Sequence, residues 1–147
     1  MRVRAIIPYN DRIVLVKRTR IVDGRIKEYF VFPGGGVEGS ETLEECVKRE
    51  VLEETGIDVD PFKEVYRLRG KKEEVFFLCK YVSGELGSGK GLEFNSAEYK
   101  ERGTYEIVAV PTIEISSIDL LPLVQVALVE DLKKYGSLEG IRFRELS

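Results

Sequence analysis

The chain has no histidine and no tryptophan, one methionine and two cysteines in 147 residues. Without imidazole, Ser-His-Asp and Cys-His nucleophile systems, imidazole acid–base catalysis and imidazole metal ligation are excluded. Any catalysis must rest on carboxylates, hydroxyls, Lys, Arg or a metal held by oxygen. Cys46 and Cys79 are too few for a disulfide framework, and their spacing is not that of a zinc site. Both read as buried apolar thiols, which fits a reducing, cytoplasmic location. No apolar run approaches the ~20 residues of a membrane span, and no signal-peptide pattern is seen. The net charge of −3 is small and mixed, so it leaves no footprint for nucleic acid or a membrane.

What is present suits a globular domain, with 43% hydrophobic and 33% charged residues. One domain spanning 1–147 is expected, large enough to build a core without cross-links. Arg2 to Tyr9 and Arg12 to Lys17 read as strands joined by an Asn10-Asp11 turn. Asp23-Gly24 signals a hairpin whose second arm is Ile26 to Phe32, ended by Pro33-Gly34-Gly35-Gly36. Strands follow near Glu64 to Leu68, Glu74 to Tyr81 and Tyr105 to Val110, with an edge strand at Ile141 to Leu146. Ser83 to Gly103 reads as a surface loop. Pro122 suits the first turn of a helix reaching Tyr135, with Asp119 near its cap. Strands before, between and after two helices predict a mixed-sheet α/β or α+β domain.

The helix from Leu43 to Glu54 carries the chemical argument. Thr42-Leu43-Glu44-Glu45 matches a capping box, and Gly56 is placed to end the helix left-handed. At about 3.6 residues per turn, Leu43, Cys46 and Val47 define an apolar stripe, and Glu50, Glu53 and Glu54 prolong it. Clustered carboxylates on a buried face repel one another and are strongly disfavoured unless compensated. The negative end of the helix dipole opposes them further. Arg49 alone does not balance three acids. Hard oxygen donors converging on one spot suit Mg²⁺ or Mn²⁺, and the glycines before the helix can add a backbone carbonyl. A solvated acidic helix end is the competing reading of these three residues alone.

The wider spacing separates the two. Gly35, five residues, Glu41, seven residues, then Arg49-Glu50-Val51-Leu52-Glu53-Glu54-Thr55-Gly56-Ile57 resembles the Nudix box with every fixed position filled. Phe32-Pro33-Gly34-Gly35-Gly36 is similar to that family's lead-in. The resemblance implies an α/β/α sandwich with a mixed sheet and an Mg²⁺-dependent (Mn²⁺ also suitable) hydrolase of diphosphate linkages in nucleotides. It implies Glu50, Glu53 and Glu54 as metal carboxylates, with the Gly34 carbonyl as a further ligand. Arg49 would orient Glu50, and Glu41 would support the loop. For Arg49 and Glu41 an ordinary surface ion pair is the competing reading. The general base would be Glu50 or Glu53, with Glu93 and Glu98 of the loop as other candidates.

Arg18 and Arg20 are candidates to hold distal phosphates or a ribose, and Phe30, Phe94 and Tyr99 to stack on a base. The proline that ADP-ribose-cleaving members carry about sixteen residues beyond the box is missing at Lys71 to Glu74. The tyrosine expected there in dinucleoside-polyphosphate members is missing too, as are the coenzyme A and NADH signatures. Elimination leaves nucleoside triphosphates, oxidised ones such as 8-oxo-dGTP included, cleaved to monophosphate and pyrophosphate. ADP-ribose or another nucleotide sugar is the alternative substrate. A non-catalytic nucleotide sensor and a diphosphate isomerase of the same fold are alternative functions. The expected partner is a small-molecule nucleotide, with no nucleic acid and no membrane, and a homodimer is left open.

Overall fold

Alternation along the central strands decides the layers of the fold. The computed structural model describes residues 1–87 and 104–147. β1 (Arg2–Ile6) pairs in parallel with β7 (Glu74–Gly84) and antiparallel with the short β5 (Gly34–Gly36). β7 pairs with β6 (Ile57–Leu68), and β6 pairs in parallel with β9 (Arg144–Leu146). The result is a mixed five-stranded sheet in the order β5-β1-β7-β6-β9.

Successive strand residues face opposite ways. Val3, Ala5, Val75, Phe77 and Cys79 therefore join one core with Cys46, Val47 and Val51 of α1 (Leu43–Thr55). Ile6, Phe76 and Leu78 join the other core with Val124, Ala127 and Leu128 of α2 (Pro122–Tyr135). One helix covers each face, giving the α/β/α sandwich with a mixed sheet that the resemblance implied. Strands buried on both faces read as continuous apolar runs, which is why β7 carries Val75 to Cys79 without a polar break.

The second sheet holds β2 (Pro8–Tyr9), β3 (Arg12–Val22), β4 (Arg25–Val31) and β8 (Thr104–Pro111), with β3 paired to all three others. The Asp23-Gly24 turn forms as expected, with both residues at positive φ (52° and 75°). Several elements outrun their sequence signals: β3 reaches Val22, and β6 begins at Ile57 rather than near Glu64. The glycine run does stop β4, but Gly34–Gly36 itself forms the edge strand β5. Asp119 does not cap α2: the cap position is Leu121, with no side-chain cap bond. With Pro122 in the first turn one free N–H is already missing, and the Asp119 carbonyl instead accepts the Phe30 N–H at 2.8 Å. Of the expected loop, Ser83 and Gly84 end β7, while Glu93, Phe94, Glu98 and Tyr99 lie outside the described residues.

Candidate active site

The site begins with how α1 is anchored. Thr42 Oγ1 accepts the Glu45 N–H at 3.1 Å, and Glu45 Oε1 accepts the Thr42 N–H at 2.9 Å. Gly56 closes the other end at φ 82°, its N–H bonded to the Leu52 carbonyl. The helix buries Cys46, Val47, Val51 and Thr55, a stripe that turns toward Val51 and Thr55 as it runs. The expectation that all three acids share the buried face is corrected here. Glu50 and Glu54 flank the stripe, whereas the Glu53 side chain is 49% exposed and points outward.

Arg49 gathers these acids. Its Nη2 donates to Glu41 Oε1 at 2.7 Å and its Nε to Glu41 Oε2 at 3.1 Å. Its Nη1 donates to Glu50 Oε1 at 2.9 Å and lies 3.4 Å from Glu53 Oε2. Nη2 also reaches the Gly36 carbonyl at 3.2 Å. Glu41 is fixed from its other side by the Glu38 N–H at 2.8 Å. These bonds hold the Glu41 carboxyl at a pKa of about 2, chiefly through Arg49 and then the Glu38 amide. The same contact with Glu41 raises Arg49 above its ordinary value. Cys46, packed beneath Arg49, is a buried thiol pushed up to about 12 mainly by desolvation.

Gly35 lets Glu50 approach the loop. A Cβ at Gly35 would lie 2.5 Å from the Glu50 carboxyl carbon, so any side chain here would push that carboxylate out of its place. Glu54 sits deeper. Its Oε2 accepts the Gly34 N–H at 3.3 Å. Burial raises its carboxyl to about 7, against the Gly34 amide, and the Glu50 charge adds to the rise. Gly34 thus touches the cluster through its amide, beside the carbonyl named as a candidate ligand. Among the described residues no three acids close on one point as they stand. Glu53 turns to Arg49 and Glu54 to Gly34.

The candidates Arg18 and Arg20 both lie on β3. Arg18 is held between two rings, 5.6 Å from the Tyr29 centroid and 4.4 Å from that of Tyr105, and donates to the Tyr105 hydroxyl. Its Nε is buried without a hydrogen-bond partner among the described residues. Arg20 is exposed further out on the hairpin, opposite Lys27. Two residues not singled out in the sequence, Arg4 and Glu74, pair beside the glycine loop, and Arg4 lies within electrostatic reach of Glu54. Arg4, opposite Gly34 in the sheet, donates from Nε to Glu74 Oε1 at 2.8 Å and from Nη1 to the Phe32 carbonyl at 3.0 Å. Both line a cleft of about 290 Å³ with Tyr29, Phe30, Phe32, Phe76 and Asp119. The only local sign of Arg4 was a charge alternating with Val3 and Ala5.

A box of acids on one helix, tied through Arg49 to a glycine loop inside an α/β/α sandwich, defines a Nudix-type domain. The NUDIX domain model matches residues 1–122, and the chain belongs to that family. An ADP-ribose pyrophosphatase of Methanocaldococcus jannaschii is 37% identical over 94 residues. That match takes in 59% of this chain and 54% of the relative, so the chain spans about half that protein's length. A crystal structure of an ADP-ribose pyrophosphatase from Streptococcus suis is similar over 98% of this chain and 95% of its own, with TM-score 0.59 and 23% identity. A NUDIX hydrolase from Nitrosomonas europaea is similar over 97% of this chain and 90% of its own, with TM-score 0.64 and 19% identity. At these identities the two structures speak for the fold alone.

Proposed function

We propose that the protein hydrolyses a diphosphate linkage in a nucleoside diphosphate-linked small molecule, using a divalent cation, Mg²⁺ or Mn²⁺. The observation that carries this reading is the Glu41–Arg49–Glu50 chain of contacts, with Glu53 and Glu54 beside it. The donor set fits a hard cation. Glu54 is a half-buried carboxyl raised to about 7 by burial, with the Glu50 charge adding to the rise and Arg4 opposing it, so a bound cation would relieve the pair. Arg49 is already committed to Glu41 and Glu50.

Glu50, Glu53, Glu54 and the Gly34 carbonyl would hold the ion. When bound it would neutralise phosphate oxygens and lower the pKa of the attacking water. The chain's own residues then divide the remaining work. Glu50 or Glu53 accepts the proton of the water on a carboxylate oxygen. Arg49 fixes the Glu50 carboxylate by the 2.9 Å bond from Nη1, and Glu41 fixes Arg49 by two bonds. Gly35 leaves room for that carboxylate.

The 290 Å³ cleft is linked to these acids through Arg4, which lines it and lies within electrostatic reach of Glu54. Ligand pockets run from roughly 300 Å³ upward, so this one suits a planar ring rather than a whole nucleotide. Phe30 and Phe32 offer it apolar surface, and Asp119 and Glu74 offer acceptors for ring N–H groups. Two substrate classes are carried. The missing proline at Lys71 to Glu74 supports nucleoside triphosphates, whereas the name of the 37%-identical relative supports ADP-ribose.

Incubation with Mg²⁺ or Mn²⁺ and nucleoside triphosphates, 8-oxo-dGTP, ADP-ribose and dinucleoside polyphosphates, with products identified by mass, tests the proposal. Metal-dependent release of a nucleoside monophosphate is the expected result. Turnover that survives Glu53→Gln unchanged would remove Glu53 from the metal site. Nucleotide binding without cleavage of any substrate would establish the sensor reading in place of the hydrolase.

A further inference from the structure

β1 carries Arg4 where the sheet's alternation calls for a core residue. Val3 and Ala5 are fully buried against α1, and Ile6 is fully buried against α2. Arg4 occupies the α2-side position next to Ile6, with its side chain 19% exposed. A charge placed there is desolvated and needs partners. Glu74 and the Phe32 carbonyl supply two, through Nε and Nη1. A guanidinium has five N–H donors in a fixed fork. Among the described residues, Nη2 has no acceptor.

The strand register places Arg4 between the glycine loop and β7. Arg4 pairs with Gly34 on one side and Phe76 on the other. The Gly34 amide touches Glu54 at 3.3 Å, and Phe76 lines the ring-sized cleft together with Arg4. Arg4 therefore stands between the box acids and the cleft. A molecule with its ring in the cleft and its diphosphate at the acids must run past this guanidinium.

We propose that Arg4 is a substrate-positioning residue whose Nη2 takes a phosphate oxygen between the ring and the scissile linkage, with Glu74 and the Phe32 carbonyl fixing the fork. The assignment rests on the hydrolase reading and adds a residue outside the box to it. A contact made equally to bound substrate and transition state appears in KM rather than kcat.

The test compares wild type with Arg4→Met, Arg4→Lys and Glu74→Gln, measuring kcat, KM and melting temperature on ADP-ribose and dGTP with Mg²⁺. Arg4→Met keeps the apolar stem and is expected to raise KM about tenfold or more while kcat changes little. Arg4→Lys keeps the charge but not the fork, and is expected to fall between Arg4→Met and wild type. Unchanged KM in Arg4→Met, or a loss confined to kcat, overturns the proposal. If Arg4→Met does not fold, Glu74→Gln decides: a raised KM supports the anchored fork, and an unchanged KM overturns it. Calorimetric titration with the same nucleotides in metal-free buffer separates the two layers. A wild type that binds but never cleaves removes the hydrolase reading alone. Weaker binding to Arg4→Met then upholds the positioning role, and equal binding overturns it. A wild type that neither binds nor cleaves any probe overturns both.

Discussion

Arg49 grips Glu41 with two donors, Nη2 to Oε1 at 2.7 Å and Nε to Oε2 at 3.1 Å, while its third nitrogen holds Glu50. Glu41 thus acts on Glu50 through a rigid planar fork, and a lysine cannot reproduce that geometry. Glu41→Gln and Arg49→Lys are each expected to lower kcat about 10–100-fold, the range seen when a partner that orients a metal-site group is lost. Steady-state kinetics beside circular dichroism checks this, and wild-type kcat in both variants would dismiss the relay.

The same pair sets an acid-stability window. Glu41 has its folded pKa lowered from 4.5 to about 2. A group whose folded value is depressed stabilises fully above its unfolded pKa and loses that contribution as pH falls through the folded value. The stability gap between wild type and Glu41→Gln should therefore be constant above pH 4.5 and shrink on acidification toward pH 2. Urea midpoints of both proteins across that range measure it, and a gap independent of pH would contradict the assignment.

Gly35 and Gly36 are adjacent but differ sharply in what an added methyl would meet. At Gly35 a Cβ falls on the Glu50 carboxyl, whereas at Gly36 nothing lies within 4 Å. Gly35→Ala should displace Glu50 and lower turnover about tenfold or more, since sites tolerate only about 0.5 Å of misplacement. Gly36→Ala should stay close to wild type. Equal activity of the two variants would mean that Glu50 has room to move without consequence.

Local features were legible in the sequence, and features made by the sheet were not. The capping box at Thr42, the left-handed end at Gly56 and the Asp23-Gly24 turn each depend on neighbours in the chain, and each formed as read. The box spacing revealed Arg49 and the acids for the same reason. Arg4 and Glu74 stayed hidden because they are 70 residues apart and meet only through the pairing of β1 with β7. Gly34–Gly36 read as a strand stop because glycine has poor strand propensity, and β1 overrides that by pairing with it. Glu53 was misplaced because three early apolar residues fixed the stripe, and Val51 and Thr55 drew it further round.

The N-terminal anchor of α1 gives a stability prediction distinct from the chemistry. Thr42 and Glu45 satisfy each other's backbone N–H groups. Thr42→Ala should cost about 1 kcal/mol. For a chain of this size that is a melting-point drop of about 2–4 °C. An unchanged melting temperature would mean that water replaces the cap without penalty.

The second core holds the most demanding polar group outside the box. Asp131 is 3% exposed, accepting the Tyr66 hydroxyl at 2.7 Å and Arg144 Nη1 at 3.1 Å. Tyr66 is fully buried, and burial first, then Asp131, raises its phenol above the ordinary range. Removing the hydroxyl leaves Asp131 with Arg144, so Tyr66→Phe should cost only about 1 kcal/mol. Asp131→Ala strands a buried hydroxyl and opens a cavity, and about 3 kcal/mol is expected. The double variant should cost less than the sum, because the hydroxyl stranded by Asp131→Ala is then gone. Urea unfolding of the cycle measures this coupling, and strict additivity would show that Tyr66 and Asp131 are satisfied independently. None of the three side chains touches a box acid, so turnover per folded molecule should be unchanged.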